Sequence, residues 1–588
     1  VLHEKRDLSR ASDLVKMGDL AADMVLPVRI GLKQSNLHLG PGFLRDVAHP
    51  ASPNFGKHWT LDEVVDKFAP STESIDSVRH WLVSDGGINV QRLTLSDNKA
   101  WFAFDATVTE MESLLHTKYH KFRRSSDDAM LVGCDEYHIP RDVQKHIDFI
   151  TPGVKLEQLH TGKVNKRNPD LPNDVFQQSA PEVRPKDPLS LNGWDCSLAM
   201  IAPCYRALYG LPQLDLGKTV NPNNTLGLYE PNKNTYIQHD LDLFYNTYAP
   251  YIPQGYHPII KNFYGAHTPN PPNTTGPKYA PGEETLDVTL PMSLVYPQDV
   301  TVYHQGPIGG TSFIGGLFSA IDGSYCTRNH FNETVACPHL DPPKVISVSY
   351  GMGEGTEPSA WQDRTCNEIL KLGLRGTTFL CASGDAGVGP DKSCNGDDHT
   401  GFLGSFPVSC PWATAVGATK FTKGGNATMH EKAIQFSGGG FSNVYEAPDY
   451  QTDAINRYFD VIGGSPYPYY EGAWNANKTG RFNRRGRGFP DVSANGLWWN
   501  MFLNGNHSSV AGTSQSIPAF AAVVNLLNEE LVRPIGFLNY ILYENPQVMK
   551  DITIGHNPGC HTDGFFTAEG WDPVSGLGTP DFPAMLSL

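Results

Sequence analysis

Between Leu26 and Phe122 apolar and polar residues alternate in VRIGLK (28–33) and AWFAFDATV (100–108), which predicts half-buried strands. In the same stretch TLDEVVDKF (60–68) and SIDSVRHWLV (74–83) space their apolar residues three and four apart, which predicts amphipathic helices. Together they make a small α+β unit. Periodicity stops between Gly162 and Leu191, where KVNKRNPDLPNDVFQQSAPEVRPKDP is rich in Pro, Asn and charge and predicts an exposed linker. Beyond it, an amphipathic run from Pro203 to Tyr209 is stopped by Gly210. PPKVISVSYG (342–351) and GTTFLCASGD (376–385) then read as apolar strands ending in glycine turns, alternating with helical stretches such as QDRTCNEILKLGL (362–374). That alternation predicts an α/β fold on a parallel sheet, with ligands at the carboxyl ends of its strands.

Composition narrows the picture. A chain of 588 residues exceeds one ordinary core, so two domains are expected, and 39% hydrophobic residues argue against wholesale disorder. No apolar run reaches membrane-spanning length. The N-terminal VLHEKRDLSR lacks the apolar core of a signal peptide, leaving either a cytosolic protein or one whose signal has been trimmed. Sequons at Asn223, Asn273, Asn332, Asn426, Asn477 and Asn506, with ten cysteines, favour trimming and a secreted, extracellular location. Nine cysteines follow Cys134, so at least one of them stays unpaired. Cys326–Cys337 and Cys394–Cys410 are the first expected bridges, and Cys381, on an apolar run, is expected as a buried thiol. The absence of a CxxC spacing argues against a zinc ribbon or redox motif.

Charge is uneven. The first 165 residues hold 20 Lys+Arg and 23 Asp+Glu of the chain's 46 and 62, so the remainder is the acidic part. This excludes nucleic acid as an expected partner and suits work at a pH where many carboxylates are protonated. The same 165 residues hold 10 of the 21 histidines, including His116, His120, His138 and His146. Their protonation could release the N-terminal unit, or the skew could be compositional drift.

Three segments carry candidate chemistry. SSVAGTSQSIPAF (508–520) sets Ser514 on a tight turn before the apolar run Ala519 to Leu527, either as a helix cap or as a nucleophile beside free backbone N–H groups. Glu283 and Asp287 share one face of a short helix from Gly282 to Leu290, which Pro291 is expected to end. They are either a solvated acidic face or a pair with one raised pKa, able to act as general base in acid. The strand through Thr377 to Cys381 runs into Ser383-Gly384-Asp385. No His-Gly-[Thr/Ser]-His segment supplies a histidine base.

In that order Glu-x-x-x-Asp, Ser-Gly-Asp and Gly-Thr-Ser-x-x-x-Pro resemble the sedolisins, serine-carboxyl peptidases with a subtilisin-like fold. Ser349-Tyr350-Gly351, Phe406 to Thr419, SGGGFS (437–442) and GFPDVSANG (488–496) match as well, so the resemblance spans nearly the whole chain. It implies Ser514 as nucleophile, Glu283 as general base and acid, Asp287 as its orienting partner, and Asp385 as a protonated oxyanion donor, active in acid. It further implies a prodomain over 1–162 that inhibits intramolecularly, a linker over 163–191 with Lys166-Arg167 as a processing site, and a catalytic domain over 192–588. One calcium ion is implied at the side chains of Asp551 and Asp572 and the carbonyls of Ile552, Ala568 and Gly570; oxygen ligands suit this hard cation. Segments 226–250, 295–306 and 318–326 look more like fungal endopeptidases of the aorsin type than tripeptidyl peptidases. The expected protein is therefore a monomeric secreted zymogen cutting protein and peptide substrates internally. A tripeptidyl peptidase or a silent binding protein on the same fold are the alternatives.

Overall fold

The computed structural model describes residues 1–6, 14–125, 130–158, 190–191, 194–231, 235–266, 282–306, 314–322, 340–389, 394, 400–422, 430–473 and 479–588. In the N-terminal unit, Val25–Leu32 (β1), Thr94–Leu95 (β2), Trp101–Thr107 (β3) and Ile147–Thr151 (β4) form an antiparallel sheet in the order β2-β3-β1-β4. The two alternating stretches of the sequence are its central pair. Gly40–Ala48 (α1), Leu61–Phe68 (α2) and Thr72–His80 (α3) complete the α+β unit. Helix α2 starts where TLDEVVDKF predicts, because Thr60 and Glu63 close a reciprocal capping box. Nearly all of the linker expected at 163–191, with Lys166-Arg167, lies outside the described residues.

The C-terminal unit is built on an eight-stranded sheet. Its strands are Leu226–Pro231 (β5), Ile259–Phe263 (β6), Val300–Gln305 (β7), Val345–Val348 (β8), Thr378–Ala382 (β9), Thr414–Phe421 (β10), Glu431–Ala433 (β11) and Val492–Asn495 (β12). The order β6-β7-β5-β8-β9-β10 is parallel throughout, with β12 parallel and β11 antiparallel to β10. Strand β9 is buried at every residue, as a strand covered on both faces must be. Two buried helices, Gly282–Val295 (α4) and Thr513–Leu531 (α6), pack against each other, and Ser359–Leu374 (α5) faces the N-terminal unit. This is the α/β fold behind a small α+β unit that the sequence predicts.

Helix α4 corrects one expectation: it runs through Pro291 to Val295 instead of ending before it. Every residue from Glu284 to Val295 is buried, and this packing outweighs the cost of about 3 kcal/mol for an interior proline. The disulfides correct another. Cys366 pairs with Cys410 and Cys394 with Cys560, so Cys394–Cys410 does not form; Cys196–Cys204 is a third bridge. Cys394 and Cys560 are 166 residues apart, and topology rather than proximity in sequence brings them together. Cys326 and Cys337 lie outside the described residues. Among the described residues Cys134 and Cys381 are free and buried.

Helix α5 is the docking surface for the N-terminal unit. Arg364 donates to the Leu32 carbonyl and to Asp148 at 3.1 Å each, and its guanidinium lies 4.7 Å from the Trp101 ring centroid. Lys371 donates to Gln34 at 2.9 Å. Leu44, Val47, Val64 and Phe68 close an apolar cluster with Leu370, Leu374, Phe537 and Tyr540.

Candidate active site

The carboxyl ends of β5, β8 and β9 deliver Glu230, Ser349-Tyr350 and Ser383-Gly384-Asp385 to one edge of the sheet. The N-termini of α4 and α6 supply Glu283 and Ser514. Helix α6 begins at Thr513, so Ser514 sits in its first turn, where backbone N–H groups lack intrahelical acceptors. One of these is used: Thr513 N donates to Asp385 Oδ1 at 2.7 Å. Gly384 N returns a bond to Thr513 Oγ1 at 3.2 Å. These two bonds hold the Ser-Gly-Asp turn against the Gly-Thr-Ser turn.

Ser349 joins the serine to the carboxylates. Its Oγ donates to Asp287 Oδ1 at 2.8 Å, and its carbonyl oxygen is 3.5 Å from Ser514 Oγ. Glu283 lies one helical turn before Asp287 and is partly accessible, whereas Asp287 is buried. The carboxyls of Asp287 and Glu230 hydrogen-bond to each other, which requires a proton between them. Tyr350 OH donates to Glu230 Oε2 at 2.6 Å.

Burial pushes Glu230 well above the ordinary carboxylate range, and the negative charges of Glu284 and Glu283 push it further. Asp287 is raised by burial and by Glu230, and Glu284 by burial and by Asp287. The groups acting most strongly on these three are carboxylates, hydroxyls and backbone. Such an arrangement retains protons and can pass one between a hydroxyl and a carboxylate in acid.

Sequence reasoning missed Glu230, Glu284 and the linking part of Ser349. A signal was present for Glu230, since LGLYEP is an apolar strand ending on a carboxylate, and a charge placed there is buried at the sheet's carboxyl edge. For Ser349 no local signal distinguished it from any serine in a turn.

The five residues expected at calcium also converge. Asp572 is fully buried and accepts from Ala568 N at 3.1 Å, Val574 N at 2.9 Å and Ser575 N at 2.8 Å. Asp551 Oδ2 accepts from Gly570 N at 2.8 Å, and Ser575 Oγ reaches the Ile552 carbonyl at 3.4 Å. Burial drives the Asp572 carboxyl up to about 8 and raises Asp551. Two desolvated carboxyls beside backbone carbonyls are a donor set that fits a hard cation. Among the described residues no group of three or more His, Cys, Asp or Glu could hold a metal. Of the sequons, Asn223 and Asn506 are exposed and the other four lie outside the described residues.

Comparisons with known proteins bear on the whole chain. Residues 12–156 match the family model described as Pro-kumamolisin, activation domain. The chain is 41% identical to aorsin of Aspergillus oryzae, with 100% of this chain and 95% of that protein covered. It is 37% identical to tripeptidyl-peptidase sed1 of Aspergillus fumigatus, with the same coverage of both. Among solved structures it is similar to a Pseudomonas sedolisin, a serine-carboxyl proteinase, at 19% identity and a TM-score of 0.45, over 66% of this chain and 98% of that one.

Proposed function

We propose, from the premise that this chain belongs to the sedolisin family of serine-carboxyl peptidases, that it is a secreted zymogen hydrolysing peptide bonds in acid through an acyl-enzyme on Ser514. The observation that carries this is the bridge at Ser349, which couples the buried Asp287 carboxyl to the Ser514 hydroxyl. In this reading Glu283 takes the Ser514 proton as Oγ attacks the scissile carbonyl, then donates it to the leaving amine; water repeats the cycle to release the acid product. Asp287, with Glu230 behind it, orients Glu283 and shares its proton. Asp385, protonated, stabilises the oxyanion, and so confines activity to acid.

The mode of attack has two readings. Tripeptidyl-peptidase sed1 is a relative whose name states a mode, and it favours release of tripeptides from free N-termini. The segments 226–250, 295–306 and 318–326, which look more like the endopeptidase type, are what supports internal cleavage. Matched peptides, one with a free and one with an acetylated N-terminus, decide at pH 4. Cleavage of the free peptide alone, three residues at a time, establishes the first reading, and internal cleavage of both establishes the second. Failure of the acid-activated enzyme to cut either overturns both and leaves a binding protein on the same fold.

Calcium at Asp551, Ile552, Ala568, Gly570 and Asp572 would brace the loop that follows Val548 against 568–575, a structural part with no step in the reaction. Glycans on Asn223 and Asn506 would meet no steric bar, since both side chains are exposed.

A further inference from the structure

The stretch between helices α1 and α2 of the prodomain is a strap, Ala51 to Thr60, that plugs into the catalytic domain. It does so at the amino ends of β8 and β9, the opposite edge of the sheet from Glu230, Ser349 and Asp385. Trp59 N donates to the Leu374 carbonyl at 2.8 Å, and the Arg533 guanidinium lies 4.8 Å from the Phe55 ring centroid. Between these anchors the His58 imidazole enters a slot formed by two glycines. A Cβ at Gly376 would stand 2.7 Å from its Nδ1, and one at Gly536 would stand 2.6 Å from its Nε2. Both glycines have positive φ, 83° and 75°, so neither position readily takes a side chain.

The slot is suited to a neutral ring. Nε2 is buried with no hydrogen-bond partner, and the ring's hydrogen bond goes to the Ile535 backbone. The charges facing it are the cations Lys344, from the start of β8, and Arg533, from the end of α6. Arg375, next to Gly376, is a third cation on that side, and the acidic groups Asp341 and Asp322 act on Lys344 and Arg375. A proton on Nε2 would place a charged donor where no acceptor waits and two like charges do.

We propose that the Gly376–Gly536 slot is a docking socket for the neutral imidazole of His58, and that protonation of His58 expels the strap and loosens the prodomain. Burial and the two cations hold His58 down at about 4, against 6.5 when free. A histidine with a depressed pKa favours the docked state above 6.5 and loses that contribution as pH falls through 4, weakening docking by up to roughly a hundredfold. Two carboxylates of the same interface act in the opposite sense. Glu157, pushed up to about 7, and Glu357, also raised, favour docking as they are protonated. His3 shares the depressed direction but bonds within the prodomain, to the Asp148 carbonyl. His146 faces Ser74 and Glu73 of its own unit.

The inference rests on the N-terminal unit being a prodomain and needs no catalysis, so full-length Ser514→Ala protein tests it independently of the proposed function. Amide exchange at Trp59 and residues 374–378, corrected for intrinsic rate, should lose protection by about a hundredfold between pH 6.5 and 4. His58→Gln, uncharged throughout, should stay protected to pH 4; opening with the parent's pH dependence overturns the proposal. If His58→Gln is open at every pH, Lys344→Met keeps the ring and removes one facing cation. It should then show a smaller acid-driven loss than the parent, and an unchanged loss overturns the proposal.

Discussion

Two groups of buried acids in this molecule behave oppositely. Glu368, mostly buried on the docking helix, stands between Arg364 at 3.1 Å and Lys371 at 2.8 Å, and the two cations hold it below the ordinary carboxylate range despite desolvation. Glu230, Glu284 and Asp287 are more completely removed from water and face one another, and all three are pushed far up. Desolvation raises every one of these carboxyls, and only the cations beside Glu368 reverse its direction. The docking helix thus favours an ionised carboxylate, and the candidate active site favours protonated ones. One arrangement clamps a domain, and the other, in the proposed mechanism, supplies the protons for hydrolysis.

If the protonated cluster serves the serine, the largest effects come from the serine and its base. Ser514→Ala should reduce peptide cleavage at pH 4 by roughly four orders of magnitude or more, and Glu283→Gln nearly as much, since such groups act as a unit. A steady-state assay on an acid-activated sample checks both, with circular dichroism to confirm folding. A Ser514→Ala protein of undiminished activity removes the chemical half of the comparison.

The clamping half breaks with Arg364→Met, which strips Glu368 and Asp148 of a shared cation and removes the bond to Leu32. Prodomain docking should weaken by about 3 kcal/mol, the usual cost of leaving a buried charge unpaired. Urea unfolding of the Ser514→Ala zymogen reads this as a lower first midpoint. A midpoint unchanged from the parent makes Arg364 incidental to docking.

Glu230→Gln sharpens the other half. It removes one of the carboxyls raising Asp287, so Asp287 should ionise at lower pH and the acid limb of kcat/KM should move down by about half to one unit. The same residues set a stability trend. Groups with raised pKa values contribute fully below the ordinary carboxylate range and lose that contribution as pH rises through the raised values. The melting temperature should therefore fall from pH 4.5 toward pH 8, and fall less in Glu230→Gln; equal slopes would show that the cluster does not govern it.

The smallest effect concerns the C-terminal acids, of which Asp572, like the cluster, is raised chiefly by burial. Chelation should lower the melting temperature by about 2–4 °C, restored by calcium and not by magnesium. No change on chelation would assign this loop to backbone hydrogen bonds alone.

Much of this was legible in sequence because it is local. Periodicity located β1, β3, α2 and β9, and short motifs singled out Ser514, Asp385 and the Glu283–Asp287 pair, which the fold then gathers at one edge. What was not legible depends on the fold. Pro291 stays helical because α4 is buried on all sides, Cys394 meets Cys560 across 166 residues, and Glu230 meets Asp287 only when β5 lies against α4. His58 was one histidine among ten until two distant glycines framed it.

The most direct test of the central claim is to trap the acyl-enzyme. Acid-activated enzyme is mixed with a peptide substrate at pH 4, quenched within the first turnover and digested for mass spectrometry. An ester-linked peptide fragment on Ser514, within 508–520, is expected, and none at pH 7.5. Rapid cleavage with no adduct on Ser514, or an adduct on another residue, would contradict that claim.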